Sequence, residues 1–157
     1  MSGAISREMR CIQYELEIQI DVPVPRVWQA LTDDINAWWL GDFHMVGPNS
    51  TVEFDIRVGG RGLIEYRPDG SFLLWYAVQA YLPDQHKIYL VGNLAPDFGG
   101  PSTTNLSLAL VARDGGCTLR ITDAHHGCVD EGTVGSLKKG WQQLFDDGLK
   151  KYLERGD

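Results

Sequence analysis

Cysteine is scarce in this chain of 157 residues, which holds only Cys11, Cys117 and Cys128. An odd number without paired spacing makes no disulfide framework and fits reduced cytosolic thiols. Long apolar runs are missing as well: no window of about 18 residues is continuously apolar, and the stretch up to Arg10, with Arg7, has no run of signal-peptide length. The expectation is a non-exported, cytoplasmic protein, in which the glycosylation patterns at Asn49 and Asn105 have no consequence. Basic residues are in deficit, with 14 Lys and Arg against 21 Asp and Glu, a net charge of −7 and a pI near 5.0. That balance opposes a grip on phosphate backbones, so nucleic acid is not expected as a partner, and without a long apolar window neither is a membrane. There is no P-loop and no nucleophile elbow. Val58-Gly59-Gly60-Arg61-Gly62 is no dinucleotide fingerprint, because no helix follows it to receive a pyrophosphate. No cofactor is expected.

What is present fits one globular domain, with 43% apolar and 22% charged residues and no repeat or low-complexity tract. A chain of this size buries roughly 70% of its unfolded surface, enough for a core and a modest cavity. From Cys11 to Ile20, Ile12, Tyr14, Leu16, Ile18 and Ile20 alternate with polar residues, which predicts a half-buried strand. Pro23 and Pro25 end it and suit a helix start, so a short helix is expected from Pro25 through Leu31. Thr32-Asp33-Asp34 offers N-cap chemistry for a second short helix carrying Ile35, Trp38 and Trp39.

From Thr51 the period becomes two. Val52, Phe54, Ile56 and Val58 share a face, and Gly59-Gly60 predicts a two-residue hairpin into Arg61 to Arg67. Ser71 to Leu82 is apolar on both faces and is expected deep in the sheet. Further strands are expected at His86 to Leu94, Thr103 to Ala112 and Cys117 to His125, joined by turns at Pro83-Asp84-Gln85 and Asp114-Gly115-Gly116, with a loop over Ala95 to Ser102. Between Asp130 and Glu154, Val134, Leu137, Trp141, Leu144, Phe145, Leu149 and Tyr152 recur at spacings of three and four, one long amphipathic helix. The fold class is therefore α+β: an antiparallel meander of six strands joined at its edge by the first, curled around a C-terminal helix with a space between.

Val22-Pro23-Val24-Pro25-Arg26-Val27-Trp28-Gln29-Ala30-Leu31-Thr32-Asp33, Trp38-Trp39, Val58-Gly59-Gly60-Arg61, Gly115 to Thr122 and Gly140-Trp141 through Leu153 follow one another in an order that resembles the START-like (SRPBCC) superfamily. Within it the chain is similar to the homologues of the C-terminal domain of the heat-shock-protein ATPase activator, over about residues 11–153. The resemblance implies the helix-grip fold, a seven-stranded antiparallel sheet wrapped round a C-terminal helix. Members of the superfamily bind lipids, sterols, polyketides or plant hormones, and a minority are enzymes. The chain departs from the usual pattern at Tyr76, where a glycine usually opens the fourth strand, at Gly92, where a tryptophan often closes the fifth, and at Asp123, which replaces a frequent histidine.

The candidate cavity lining is Trp38, Trp39, Phe54, Ile56, Tyr66, Trp75, Tyr76, Tyr89, Leu119, Ile121, Asp123, His125, Trp141 and Phe145. Tyr and Trp pack an apolar ligand while their O–H or N–H orients it; ordinary core packing explains the same residues. Asp123, His125, His126 and Cys128, with Cys117, Asp130 and Glu131, are donor types for a metal, but adjacent histidines on a strand point to opposite faces, so no metal site is expected. Asp123 and His125 share the inward parity of Leu119 and Ile121. They stand at the cavity mouth as weak candidates for an acid/base or ligand-orienting pair, or are simply solvated. His44 is a second mouth candidate or an exposed loop residue. Arg57, Arg61 and Arg67 either gather at the hairpin, with Arg61 meeting an acidic ligand group, or sit on a wet face.

These readings lead to a non-catalytic protein that binds a small apolar or aromatic molecule, as monomer or homodimer. The alternatives are a polyketide cyclase or aromatase-like enzyme using Asp123 and His125, and a chaperone-ATPase-activating module.

Overall fold

The computed structural model describes residues 3–155. Strand β1 (Arg10–Ile20) leads through helices α1 (Val24–Thr32) and α2 (Ile35–Trp38) to six strands: β2 (Thr51–Asp55), β3 (Gly62–Tyr66), β4 (Phe72–Leu82), β5 (Lys87–Leu94), β6 (Ser102–Arg113) and β7 (Gly116–Gly127). The chain closes with α3 (Glu131–Gln143), a stretch with π-helical hydrogen bonding over Leu144–Lys150, and α4 (Lys151–Glu154), which together form one continuous C-terminal helix. Among the described residues no helix is long and apolar enough to cross a membrane.

The strands form one antiparallel sheet in the order β1-β7-β6-β5-β4-β3-β2. Because β1 returns to pair with β7, the meander is bracketed by its first and last strands, and the C-terminal helix lies across the concave face. The period-two pattern of β1 appears directly as burial: Leu16, Ile18 and Ile20 are buried and Glu15, Glu17 and Gln19 exposed. Asp130 caps α3, its carboxylate accepting from the Thr133 N–H at 2.7 Å, which satisfies one of the orphan donors of the first turn.

Two strand expectations need correction. The alternation through Val58 stops at Asp55, and Val58 is fully exposed in a six-residue connection. Asp55 accounts for the break: its carboxylate accepts from the Arg57 guanidinium at 2.8 Å and the Arg61 backbone N–H at 3.1 Å, curling the chain before Gly59-Gly60. Arg57 and Arg61 thus meet at Asp55, while Arg67 sits apart beside Asp69. The second correction concerns β4, whose apolar run does not mean burial on both faces. Leu73, Trp75, Tyr76 and Val78 are at least partly buried, but Phe72 and Leu74 are 65% and 47% exposed on the convex side, which no helix covers.

β4 also carries a β-bulge that the period did not reveal. Leu63 pairs with Tyr76 and Ile64 with Leu74, so Trp75 is an extra residue. Such an insertion re-aims side chains, and here both Trp75 and Tyr76 reach the Trp141 ring of the C-terminal helix.

Candidate functional site

The concave face is apolar except at Glu65 of β3 and near the ends of β6 and β7. There the cross-strand register sets His125 opposite both Ile12 and Thr104, and Asp123 opposite Tyr14 and Leu106. The shared parity expected for Asp123 and His125 holds, but they are sealed inside rather than placed at a mouth, each about 1% exposed. Asp123 Oδ2 is shared: the Tyr14 hydroxyl donates to it at 2.7 Å and His125 Nε2 lies 2.8 Å away. The Tyr14 and His125 rings stack at 6.4 Å between centroids, and the Lys138 ammonium sits 6.0 Å from the Tyr14 centroid. Burial, followed by the Asp123 charge and hydrogen bond, pushes the Tyr14 hydroxyl far above its ordinary range, so Tyr14 is a fixed donor. Tyr76 is raised likewise, chiefly by burial.

Three buried polar atoms here make no hydrogen bond among the described residues: Asp123 Oδ1, His125 Nδ1 and Ser102 Oγ. A buried unpaired polar group costs about 1–3 kcal/mol, and protein interiors seldom leave several on one face.

Beside this polar end runs a chain of aromatic rings. Trp39 meets Trp75 at 5.4 Å, Trp75 meets Trp141 at 6.3 Å, Tyr76 meets Trp141 at 5.9 Å, and Trp141 stacks on Phe145 at 5.8 Å. Trp38 joins through Phe145 at 6.0 Å. Phe54, Leu119 and Ile121 are buried in the same core, and Ile56 packs against it from the loop after β2. Tyr66 and Tyr89 do not belong to this set. Tyr66 faces outward, bonded to Glu53 at 3.3 Å under Arg61, and Tyr89 is 38% exposed on the convex face. Both fall on the outward parity of their strands, next to the buried Glu65 and Ile88.

The expected open space between sheet and helix is occupied by these rings. Depressions open at the surface: one of about 550 Å³ between α2 and β2, lined by Asp34, Asn36 and Glu53, one of about 300 Å³ beside Asp147, Lys151 and Glu154, and one of about 210 Å³ on the convex face that Gln13, Gln79 and Tyr89 line together with Asp123. Periodicity finds inward-facing aromatics but does not separate those that line a space from those that fill it.

Sequence reasoning missed two residues. Tyr14 was legible only as one inward position of β1. Glu65 is fully buried with no ion pair among the described residues, and its carboxylate accepts from Met45 N–H at 3.0 Å, Val46 N–H at 2.7 Å, Ser50 Oγ at 2.6 Å and Trp75 Nε1 at 3.1 Å. Burial alone raises its pKa, but the four donors together outweigh burial and hold it below the usual range. The available signal was a lone carboxylate at the inward parity of Leu63. His44, half-buried, extends the network by contacting Ser50 Oγ at 2.7 Å. His126 is exposed on the opposite face from His125, and Glu131 pairs with Arg10.

Residues 21–154 match the family described as Activator of Hsp90 ATPase homolog 1-like protein. None of the curated proteins matches the chain. Solved structures share the fold. An uncharacterised protein from Rhizobium leguminosarum superposes with a TM-score of 0.68 at 19% identity, over 96% of this chain and 99% of its own. Ara h 8.0201 does so with 0.66 at 17%, over 93% and 99%. DynU16, a protein of the dynemicin biosynthetic locus, gives 0.59 at 21%, over 92% of this chain and 48% of its own.

Proposed function

The chain belongs to the Activator of Hsp90 ATPase homolog 1-like family, and from that premise we propose that it holds a small, largely apolar or aromatic molecule between the sheet and the C-terminal helix without altering it chemically. One observation carries this reading: Asp123 Oδ1 and His125 Nδ1 are buried and unpaired beside a continuous aromatic surface. Apolar walls with a few convergent polar groups are what small-molecule sites consist of. Access requires the rings to part, and α3 is the segment built to yield. It buries only Val134 and Trp141 and contains Gly132, Gly135 and Gly140, each costing about 1 kcal/mol of helix propensity relative to Ala.

Native mass spectrometry of the gently purified protein tests the reading. A small adduct lost on unfolding is the expected result; a bare mass that no added aromatic compound shifts contradicts it.

A second reading, a cyclase-like enzyme, draws on the 2.8 Å Asp123–His125 contact with Tyr14 on the same oxygen, an arrangement suited to proton transfer. Turnover abolished by Asp123→Asn while binding persists distinguishes it from simple binding. The family's description adds chaperone ATPase stimulation, for which Phe72 and Leu74, two exposed apolar side chains on one face of β4, are a candidate contact. An ATPase assay with Leu74→Asp tests that.

A further inference from the structure

The polarity of the buried end restricts what the site accepts, an inference that rests on the ligand-binding reading above. Asp123 Oδ2 already receives the Tyr14 hydroxyl and lies 2.8 Å from His125 Nε2. For neutral His125 to donate there, its proton is on Nε2, and Nδ1 is then a bare acceptor. Asp123 Oδ1 is a second bare acceptor, equally buried and unpaired. Ser102, whose pairing position faces Gly127, adds a buried hydroxyl on the same face, just beyond the Thr104–His125 pair. The Tyr76 oxygen receives the Thr104 hydroxyl at 3.4 Å. The nearby cation, Lys138, lies over the Tyr14 ring and makes no ion pair with Asp123 among the described residues. The end of the site therefore offers two bare acceptors, Asp123 Oδ1 and His125 Nδ1, beside the Ser102 hydroxyl, and among the described residues no side chain other than His125 is placed to form an ion pair with the Asp123 carboxylate.

We propose that the interior site selects a neutral ring compound carrying two adjacent O–H donors, one for Asp123 Oδ1 and one for His125 Nδ1, and rejects a carboxylate of similar shape. Hydroxyl donors satisfy both orphan acceptors at once, whereas a second anion beside a buried carboxylate is repelled without a counter-charge.

Isothermal titration of the full chain with 2,3-dihydroxynaphthalene, 2,3-dimethoxynaphthalene and 2-naphthoate tests this. The diol is expected to bind at least about tenfold more tightly than the dimethoxy compound, which keeps the ring but has no donor, and the carboxylate to bind weakest. In Asp123→Asn, the diol's advantage shrinks and 2-naphthoate gains, because the charge is gone and an N–H donor has appeared. Equal affinities for diol and dimethoxy compound overturn the donor-pair inference while leaving ligand binding intact. Tightest binding by 2-naphthoate overturns it too, since Nδ1 is then a donor. No binding of any probe, with an unchanged Tm, means the polar atoms serve only buried water, and both the inference and the reading beneath it fall. If Asp123→Asn does not fold, the three probes on the wild-type chain decide alone.

Discussion

Glu65 shows how much a single buried side chain organises. Its four donors tie the loop at Met45, Val46 and Ser50 to the bulge residue Trp75, so the carboxylate fastens the covering loop to the aromatic interior. Its pKa lies below the usual 4.5. The stability it contributes is therefore fully present above that pH and lost as the pH falls through the depressed folded value. Glu65→Gln is expected to cost about 2–4 kcal/mol at pH 7 and to flatten the acid limb of a urea-denaturation series; an acid limb parallel to wild type contradicts this. Tyr76 and Gly92 form a second coupled pair. A Cβ at Gly92 meets both the Tyr76 ring and the Trp75 carbonyl oxygen at 2.8 Å, so the ring lies in part of the space that glycine leaves. The two departures from the superfamily pattern thus read as one exchange of bulk between neighbouring strands. The double variant Tyr76→Gly/Gly92→Trp is expected to be more stable than the sum of its single variants predicts, by about 1 kcal/mol or more in a double-mutant cycle. Strict additivity contradicts the exchange. The inward parity of Asp123 and His125 was legible because a strand has period two. Their Tyr14 partner was not, because which strand lies beside β7 is a property of topology.

At the scale of elements, the C-terminal helix was legible almost to the residue, since Val134, Trp141, Leu144, Phe145 and Leu149 hold a helical period to the end. Its two halves are anchored differently. Over Leu144–Lys150 four residues are buried, including Gly148, where a Cβ would stand 2.6 Å from the Trp38 carbonyl oxygen; a Cβ at Gly135 meets nothing within 4 Å. Gly135→Ala is therefore expected to stabilise the fold by about 0.5–1 kcal/mol, and Gly148→Ala to destabilise it by about 1–3 kcal/mol, both read from denaturation midpoints. Hydrogen exchange is expected to run faster over Thr133–Gln143 than over Leu144–Leu153, and uniform protection contradicts a yielding α3. The end of β2 and the bulge at Trp75 were not legible. Both depend on contacts outside the local pattern: the Asp55 carboxylate gripping Arg61 N–H, and pairing of β3 with a longer β4.

For the whole molecule, the order of a strand, two short helices, six strands and a long helix sufficed to reach the helix-grip architecture, because a seven-stranded sheet with one apolar face has few ways to bury it. The interior was less legible. Inward aromatics were identifiable, but the packing of Tyr76, Trp75 and Trp141 into mutual contact arises only when sheet curvature and helix position are both fixed. The same closure makes the location of a bound molecule the question on which the functional account depends. The direct measurement is nuclear Overhauser contact between bound 2,3-dihydroxynaphthalene and the protein's ring protons. Contacts to His125, Tyr76 and Trp141 are the predicted result. Contacts confined to Tyr89 on the convex face, or to the depression between α2 and β2, contradict an interior site.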